Sequence, residues 1–414
     1  MDKSVEIIVF GATGCTGKCT VLRLARLTTE KYLNISWAIA GRSKEKLLSL
    51  VKELSERGFN IKELLTIECD INNEESIKTM SKMTKVVINC TAPKILLSSL
   101  IVKTCIETGT HYVDLSGEMY HILNLYRDYY KSAADANVLV IPSCGFTTMP
   151  VETGLIYLEK QFKGTLYTVE CFTEFSLPPC RLFRALIHNG RWTSLLNSFK
   201  TYRHQLSLWS EIFPEPIEPE PEEMKRSLFF RNKGRLWFPW PGIENDSVRM
   251  SQIFLNEKNE KKPLHFKAYT TFQFFYQFIV LPVILMYYFL SYFKVFRRLL
   301  ISFPRLFTLG YVSRKGPTYT MRQSTNFSFI LNGKGWELDC NEKSKPTKTL
   351  SVKVSGQDPC QDSTAIALIM SAITILKESS NMPKGGVITP GAAFFRTDIV
   401  DRLMHEGYTF QVLK

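Results

Sequence analysis

The 414-residue sequence lacks the patterns that place cysteines around a metal ion or in a disulfide framework. Its ten cysteines are scattered, with no C-x-x-C pair and no tight Cys/His cluster, so we expect no metal site. The N-terminus also lacks the features of a secretory signal peptide, because Met1–Ser4 run directly into an apolar strand-like segment. We therefore expect reduced thiols in a protein that is not secreted and faces the cytosol.

Acidic residues are missing from one long stretch of the chain. The whole sequence has 52 Lys and Arg residues against 39 Asp and Glu residues, a formal net charge of +13. Eleven of the basic residues and no acidic residue fall between Lys261 and Lys334, so the rest of the chain is nearly neutral. No helix-turn-helix, RNA-binding or zinc motif accompanies this charge, and we expect no nucleic-acid partner.

Charge of either sign is absent from residues 268–293, which read AYTTFQFFYQFIVLPVILMYYFLSYF. These 26 residues could span a bilayer. However, Pro282 interrupts them and basic residues flank both ends, which favours a segment that lies in an interface or dips into it. We expect residues 268–293 to meet a membrane or lipid-droplet surface. A single spanning helix, and a helix buried in the core or in a homodimer interface, are the alternatives.

A glycine-rich turn separates the first predicted strand, Val5–Phe10, from a helical pattern that begins at Lys18. In this position a G-x-x-G-x-x-G turn brings backbone N–H groups and a helix N-terminus to the pyrophosphate of a dinucleotide. A glycine-rich turn without a ligand is the alternative. We assign cofactor binding to Gly11, Ala12, Thr13, Gly14, Cys15, Thr16 and Gly17.

The second predicted strand ends without the Asp or Glu that holds the ribose of NAD. Gly41 is followed instead by Arg42, whose guanidinium can pair with a 2′-phosphate through two parallel hydrogen bonds. We therefore assign Gly41 and Arg42 to the cofactor site and predict NADP(H) in preference to NAD, with a solvated arginine as the alternative. Later strand ends add the remaining cofactor residues, namely Asp70, Ile71, Thr91, Ala92 and Pro93. Asp70 is expected at the adenine or as the cap of the following helix.

Six strand-like runs alternate with helical patterns over the first 150 residues, which predicts an α/β fold with a doubly wound parallel Rossmann sheet. We predict this NADP-binding domain at 1–150 and the first part of a second, α+β domain at 151–260. That part includes strand-like runs at Leu166–Phe175 and Arg249–Leu255. A basic, hydrophobic, membrane-associating insertion is predicted at 261–336. The rest of the second domain, with a segment that returns to the cleft, is predicted at 337–414.

Five motifs that occur in order along the chain resemble those of the saccharopine dehydrogenase-like oxidoreductases. They are Gly11-Ala12-Thr13-Gly14-x-Thr16-Gly17, Trp37-Ala38-Ile39-Ala40-Gly41-Arg42, Gly109-x-x-Tyr112-x-Asp114-x-x-Gly117-Glu118, Gly145-Phe146 with Pro150, and Thr389-Pro390-Gly391-Ala392-Ala393-Phe394. The resemblance implies a Rossmann domain, a mixed second domain, a role in lipid or glycolipid metabolism, and association with lipid droplets or membranes. Mitochondrial association is a further alternative. Thr147 stands where the family usually has an acid, so no catalytic residue is carried over.

The expected reaction is hydride transfer between NADPH and a carbonyl, imine or enoyl carbon of a lipid-like molecule. Such a reaction needs a proton donor, and the sequence does not single one out. The candidates near predicted strand ends are Lys94, Tyr112, Asp114, Glu118 and His188, each of which could instead be a helix cap, a core residue or a solvated residue. The alternative function is a catalytically idle nucleotide-binding scaffold or redox sensor on lipid droplets.

Overall fold

The computed structural model describes residues 3–30, 34–61, 64–91, 95–176, 185–214, 220–232, 234–240, 242–271, 274–338, 345–359 and 361–413, without the side chains of 95–97 and 274–281. The chain divides into two compact units. The first unit comprises Met1–Ser116, Asn124–Met149 and Gln361–Glu406, and the second comprises Gly117–Leu123, Pro150–Cys360 and Gly407–Lys414.

The secondary-structure elements are numbered along the chain. The strands are β1 (Val5–Phe10), β2 (Trp37–Gly41), β3 (Leu65–Glu68), β4 (Thr84–Asn89), β5 (His111–Asp114), β6 (Leu139–Ile141), β7 (Gly164–Ser176), β8 (Ile187–His188), β9 (Phe230–Asn232), β10 (Arg235–Pro239), β11 (His265–Thr270), β12 (Val312–Ser313), β13 (Asn326–Glu337), β14 (Lys348–Gln357), β15 (Gly386–Val387) and β16 (Thr409–Leu413). The helices are α1 (Cys15–Thr29), α2 (Lys44–Glu56), α3 (Glu74–Lys82), α4 (Ile95–Glu107), α5 (Met119–Asp135), α6 (Thr148–Phe162), α7 (Asn189–Ile212), α8 (Glu244–Glu257), α9 (Phe274–Tyr292), α10 (Lys294–Ser302), α11 (Pro304–Phe307), α12 (Tyr319–Gln323), α13 (Asp362–Glu378), α14 (Pro390–Ala393) and α15 (Ile399–His405).

A seven-stranded sheet forms the centre of the first unit, in the order β15-β6-β5-β4-β1-β2-β3. Every strand pair in it is parallel. From β1 the chain adds β2 and β3 on one side of the sheet, and it then adds β4, β5 and β6 on the other side. The strand order therefore switches direction between the neighbours β1 and β4, as in the Rossmann fold. The predicted α/β fold with a parallel Rossmann sheet is therefore confirmed, and β15 adds a strand that the sequence did not predict.

The strands of this sheet are apolar because helices cover both of its faces. In β1 the side chains of Ile7, Ile8 and Val9 are completely buried. Strands of this kind read as continuous apolar runs rather than as an alternating pattern, so they stand out between polar turns. For this reason the predicted bounds of β1, Val5–Phe10, match the structure residue for residue.

Helix α13 belongs to the first unit, where it packs against α1, β4 and β5. Its side chains from Ser363 to Ile375 are all buried, as expected for a helix placed between a sheet and other helices. The division of the chain therefore differs from the predicted one, which gave 337–414 to the rest of the second domain and a segment that returns to the cleft. The apolar sequence of a helix predicts that the helix is buried in a core. It does not predict which of two sheets the helix packs against.

The second unit contains a mixed seven-stranded sheet in the order β16-β14-β13-β7-β11-β10-β9. Strand β7 pairs in parallel with β11 and antiparallel with β13, and it confirms the strand predicted at Leu166–Phe175. The strand predicted at Arg249–Leu255 is wrong, because these residues lie in α8. The buried residues Val248, Ser251 and Leu255 recur every three to four positions, which is the spacing of a helix.

The segment predicted as one insertion at 261–336 contains β11 and most of β13, which are strands of the second sheet. Ala268, Tyr269 and Thr270 lack charge because they are buried in β11 beside β7. Only the helices α9, α10 and α11 and the short elements that follow them are added between the two strands. The predicted insertion therefore has to be narrowed to the residues after β11.

Candidate functional site

The glycine-rich turn joins β1 to α1 in the first unit. Gly11 has a positive φ of 81°, and its carbonyl oxygen accepts a hydrogen bond from the Gly14 N–H at 2.9 Å, which closes the turn. A Cβ at Gly11 would lie 2.9 Å from the backbone nitrogen of Thr91, and a Cβ at Gly17 would collide with the Gly11 carbonyl oxygen. Both positions therefore require glycine, because backbone approaches backbone there.

The N-terminus of α1 suits a phosphate group. Gly14 is the N-cap, and it provides no side chain to accept hydrogen bonds from the first turn of the helix. The first N–H groups of a helix have no carbonyl partner within it, and the helix dipole adds partial positive charge at this end. Thr13 and Gly14 are exposed, so an anion can approach. These features fit the pyrophosphate of a dinucleotide.

Gln361, which precedes α13, connects two cysteines on the first turns of α1. Its Nε2 donates to the Sγ of Cys15 at 2.8 Å, and its Oε1 accepts from the Sγ of Cys19 at 3.2 Å. The carboxamide thereby fixes the start of α13 to the start of α1. Sequence reasoning missed Gln361 because it lies 346 residues from Cys15, and no local pattern indicates the contact.

Arg42 follows β2 and is exposed. Among the described residues the structure records no ion pair for its guanidinium, so the charge is available to a ligand. Ser43 caps α2, because its side chain accepts a hydrogen bond from the Lys46 N–H at 3.3 Å. The geometry fits the predicted role of Arg42 at a 2′-phosphate, which stays a prediction for this residue.

Asp70 does not cap the helix that follows it. The cap of α3 is Asn73, whose Oδ1 accepts from the Ser76 N–H at 3.1 Å. The Asp70 carboxylate instead accepts from the N–H and the side-chain amide of Asn72, at 3.0 and 2.8 Å. It therefore shapes the turn after β3, and its predicted place at the adenine is untested. Ile71 is partly buried against the core of the first unit.

A chain of buried polar groups runs along the carboxyl ends of β4 and β5. The N–H and Oγ1 of Thr91 donate to Asn89 Oδ1 at 3.0 and 2.7 Å. Asn89 Nδ2 donates to the Tyr112 hydroxyl at 2.8 Å, and this hydroxyl donates to Asp114 Oδ2 at 2.9 Å. Asn89 was not predicted, although an amide at the end of an apolar strand could have indicated it. The predicted Ala92 and Pro93 lie outside the described residues.

The Asp114 carboxylate joins the ends of β5 and β6. It accepts from the N–H and Oγ of Ser116, at 2.8 and 2.7 Å, and from the N–H of Ser143, at 2.9 Å. Ser143 has a positive φ of 62°, which is uncommon outside glycine and is held here by the carboxylate. With so many donors around it, Asp114 fixes the edge of the sheet rather than serving as a proton donor.

Two further candidate proton donors have structural roles. Burial, followed by the negative charge of Asp114, raises the pKa of Tyr112 well above its usual value, so its phenol stays protonated. His188 caps α7, since its Nδ1 accepts from the Gly190 N–H at 3.0 Å, and burial lowers its pKa. The imidazole is therefore neutral. Lys94 lies outside the described residues.

Glu118, in the second unit, differs from the other candidates because it is buried with few partners. Its side chain is 1% exposed, and burial raises its pKa to about 7. Ser194 and Asn197 of α7 lie close to the carboxyl and partly offset this increase. Within the described part of the chain, neither carboxyl oxygen has a hydrogen bond of good geometry. Glu118 therefore holds a proton that can exchange near neutral pH.

Helices α9, α10 and α11 and the residues that join and follow them expose many large apolar side chains. We call this set the outer apolar surface. Its members are Leu285, Met286, Phe289, Tyr292, Phe293, Val295, Phe296, Leu299, Phe303, Leu306, Phe307 and Leu309. A water-soluble surface seldom concentrates apolar area in this way unless it binds something. Among the described residues, no helix is long and apolar enough to cross a membrane.

Part of the basic block around this surface is neutralised by acids from elsewhere in the second unit. Among the described residues, ion pairs join Lys261 with Glu159, Lys267 with Glu220, Arg322 with Asp358 and Lys334 with Glu223. The count of eleven bases between Lys261 and Lys334 therefore overstates the positive charge that the folded unit leaves unpaired. The acids lie far away in the sequence, so counting charges along the chain could not reveal them.

Comparison with known proteins identifies the family. Residues 7–141 match the saccharopine dehydrogenase NADP binding domain. The saccharopine dehydrogenase-like oxidoreductase of Mus musculus is 34% identical over 423 residues, covering 100% of this chain and 98% of the relative. The chain belongs to the saccharopine dehydrogenase-like oxidoreductases. The expectations of an oxidoreductase and of NADP as its cofactor are thereby confirmed, while the individual cofactor residues remain predictions.

Two more distant matches bear on localisation and fold. The lipid droplet localized protein of Caenorhabditis elegans is 28% identical to this oxidoreductase over 428 residues, with 98% of both chains covered. Apo saccharopine dehydrogenase (L-Glu forming) from Saccharomyces cerevisiae shares the fold with a TM-score of 0.51 at 12% identity, covering 99% of this chain and 100% of the yeast chain. At that identity the likeness concerns the fold alone.

Proposed function

We propose that this oxidoreductase transfers hydride between NADP(H) and a carbonyl, imine or enoyl carbon of a lipid-like substrate, at the surface of a membrane or lipid droplet. The observation that carries the proposal is the outer apolar surface of the second unit. Exposed apolar side chains concentrated in this way mark surfaces that bind a membrane, a ligand or a protein partner. The name of the worm relative, lipid droplet localized protein, supports the same location.

When it is bound, NADP(H) supplies the hydride chemistry. The turn from Gly11 to Gly17 would hold the pyrophosphate against the N-terminus of α1, and Arg42 would pair with the 2′-phosphate. In sheets of this kind ligands lie beyond the carboxyl ends of the strands. The hydrogen-bonded chain from Thr91 to Asp114 would keep these strand ends fixed while the reacting carbon is positioned.

The proposal is tested by incubating the purified full-length protein with NADPH and fractionated lipid extracts, with phospholipids, glycolipids and neutral lipids kept apart. We expect one fraction to accelerate NADPH oxidation and to yield a reduced lipid detectable by mass spectrometry. The control is the same protein with Gly17 replaced by alanine, which should not bind the cofactor because the added Cβ meets the Gly11 carbonyl oxygen.

The alternative is a nucleotide-binding scaffold without catalysis. The family resemblance implies an acid at the position of Thr147, and the neighbouring Thr148 hydroxyl is engaged with Ser143 Oγ at 2.6 Å. NADPH that binds tightly but is not oxidised in the presence of any lipid fraction would support the scaffold and contradict the enzymatic proposal.

A further inference from the structure

Helix α10 presents an apolar stripe away from the body of the second unit. Its buried side is marked by Leu300, which is 1% exposed and whose carbonyl oxygen accepts a hydrogen bond from Trp192 Nε1 at 3.0 Å. On the other side, Val295 is 69% and Leu299 is 37% exposed. These two residues are four positions apart, so they lie one above the other on the helix. The helix is therefore anchored on one side and apolar on its solvent side.

A basic stripe runs beside the apolar one. Lys294 and Arg298 are both exposed, and each immediately precedes a residue of the apolar stripe. They too are four positions apart, so they form a parallel row on the same helix. The structure records no ion pair for either residue among the described parts of the chain. Since no acidic residue occurs between Lys261 and Lys334, the opposite charge has to come from outside the local chain.

Exposed apolar side chains also follow α10 along the chain. Phe303 is 57% exposed, and Leu306 in α11 is 71% exposed, with the exposed Arg305 between them. The same alternation of apolar and basic side chains thus extends over more than three turns of chain. A row of exposed apolar groups bordered by Lys and Arg is the pattern of a helix that lies in the plane of a lipid interface.

We propose that α10 and α11 lie flat in a lipid surface, with Val295, Leu299 and Leu306 among the acyl chains and with Lys294 and Arg298 on lipid phosphates. This inference rests on the proposed association with a lipid surface and specifies its chemistry, namely selection of anionic phospholipids. The apolar stripe alone would serve for a neutral surface. The adjacent basic stripe, which the chain itself leaves without opposing charge, is complementary to phosphate groups at the depth of the headgroups.

The experiment measures flotation of the full-length protein with two kinds of vesicle, phosphatidylcholine alone and phosphatidylcholine mixed with phosphatidylserine. We expect strong binding to the anionic vesicles only. Lys294→Gln combined with Arg298→Gln should weaken that binding about 30-fold, since each basic residue near an anionic surface contributes on the order of a factor of five. Val295→Ser combined with Leu299→Ser should abolish it.

Matched controls are available in the first unit. Lys131→Gln with Lys377→Gln removes two exposed charges, and Leu48→Ser with Leu65→Ser removes two exposed apolar side chains. Neither control should alter flotation. NADPH binding by each variant, measured in parallel, verifies that the protein is folded, and NADPH oxidation in the presence of the lipid fractions tests the enzymatic proposal separately.

Each contrary outcome contradicts a different statement. Equal binding to both kinds of vesicle, unaffected by the loss of Lys294 and Arg298, overturns the selection of anionic lipid while the association with lipid stands. Absence of binding to any vesicle overturns the association itself. A wild-type dimer that becomes monomeric with Val295→Ser and Leu299→Ser shows that a second copy of the chain covers the stripe, and it also overturns the inference.

Discussion

Replacing Glu118 with glutamine should change how the stability of the protein depends on pH. In the folded chain, burial raises the pKa of Glu118 to about 7, from an ordinary value of 4.5. The folded state therefore holds this proton more tightly than the unfolded state does. The corresponding stabilisation is complete below the unfolded pKa and is lost as the pH rises through about 7. Glutamine has nearly the same shape as glutamate but does not ionise, so its contribution to the free energy of unfolding does not depend on pH.

The magnitude follows from the difference in pKa between the two states. The difference between a folded pKa of about 7 and an ordinary pKa of 4.5 corresponds to about 3 kcal/mol of unfolding free energy, of which roughly 2.5 kcal/mol is lost between about pH 5 and about pH 8. Because the side chain is 1% exposed, solvent screening does not reduce this figure. The variant also changes the hydrogen-bonding groups near Ser194 and Asn197, but that contribution is the same at every pH.

The assay is urea unfolding followed by tryptophan fluorescence, with wild type and Glu118→Gln compared across this pH range. We expect the glutamine variant to gain stability relative to wild type as the pH rises. The matched control is Glu211→Gln, an exposed position on α7, which should leave the pH dependence unchanged. Parallel curves for wild type and Glu118→Gln would refute the reasoning, because they would show that the buried carboxyl binds its proton no more tightly than in the unfolded chain.

Three further predictions concern the first unit. Arg42→Ala should weaken NADPH binding by about 10- to 100-fold, the value of a charged hydrogen-bonded pair, and leave NADH binding unchanged in fluorescence titrations; equal losses for both cofactors would contradict the 2′-phosphate role. Gly17→Ala should abolish cofactor binding in the same titrations. In urea unfolding, Gly41→Ala should leave the midpoint nearly unchanged, because its Cβ would meet Leu47 at an ordinary 3.6 Å. Asp114→Asn should lower the free energy of unfolding by about 2 kcal/mol, because an amide nitrogen replaces one acceptor oxygen; an unchanged midpoint would contradict this role.

The sequence predicted the first unit well for physical reasons. Strands buried on both faces are continuous apolar runs, and a serine such as Ser43 lies where a turn ends and a helix begins. Both signals are local, so they can be read from a few neighbouring residues. The assignment of Asp70 as a cap failed because three polar residues compete in one short turn, and only geometry shows that Asn73 caps the helix.

The parts that could not be predicted depend on contacts between distant segments. The place of α13, the hydrogen bonds of Gln361 to two thiols and the protonation of Glu118 each require knowing what lies opposite a residue in space. The error at Arg249–Leu255 has a different origin. A short run that contains both polar and apolar residues fits a strand and a helix, and the longer buried face of α8 decides between them.

The basic block illustrates how tertiary structure changes the meaning of a charge count. Within the described part of the chain, Lys261, Lys267, Arg322 and Lys334 are paired with acids of the second unit, and two of them, Lys267 and Lys334, lie in strands of its sheet. The charges at Lys294, Arg298 and Arg305, in contrast, stand beside exposed apolar side chains, and no ion pair is recorded for them among the described residues. Charges already paired within the fold contribute little to lipid binding, because that attraction is offset by the loss of the internal pair. The salt dependence of vesicle binding should therefore reflect the few bases on α10 and α11, and not the formal charge of the whole stretch.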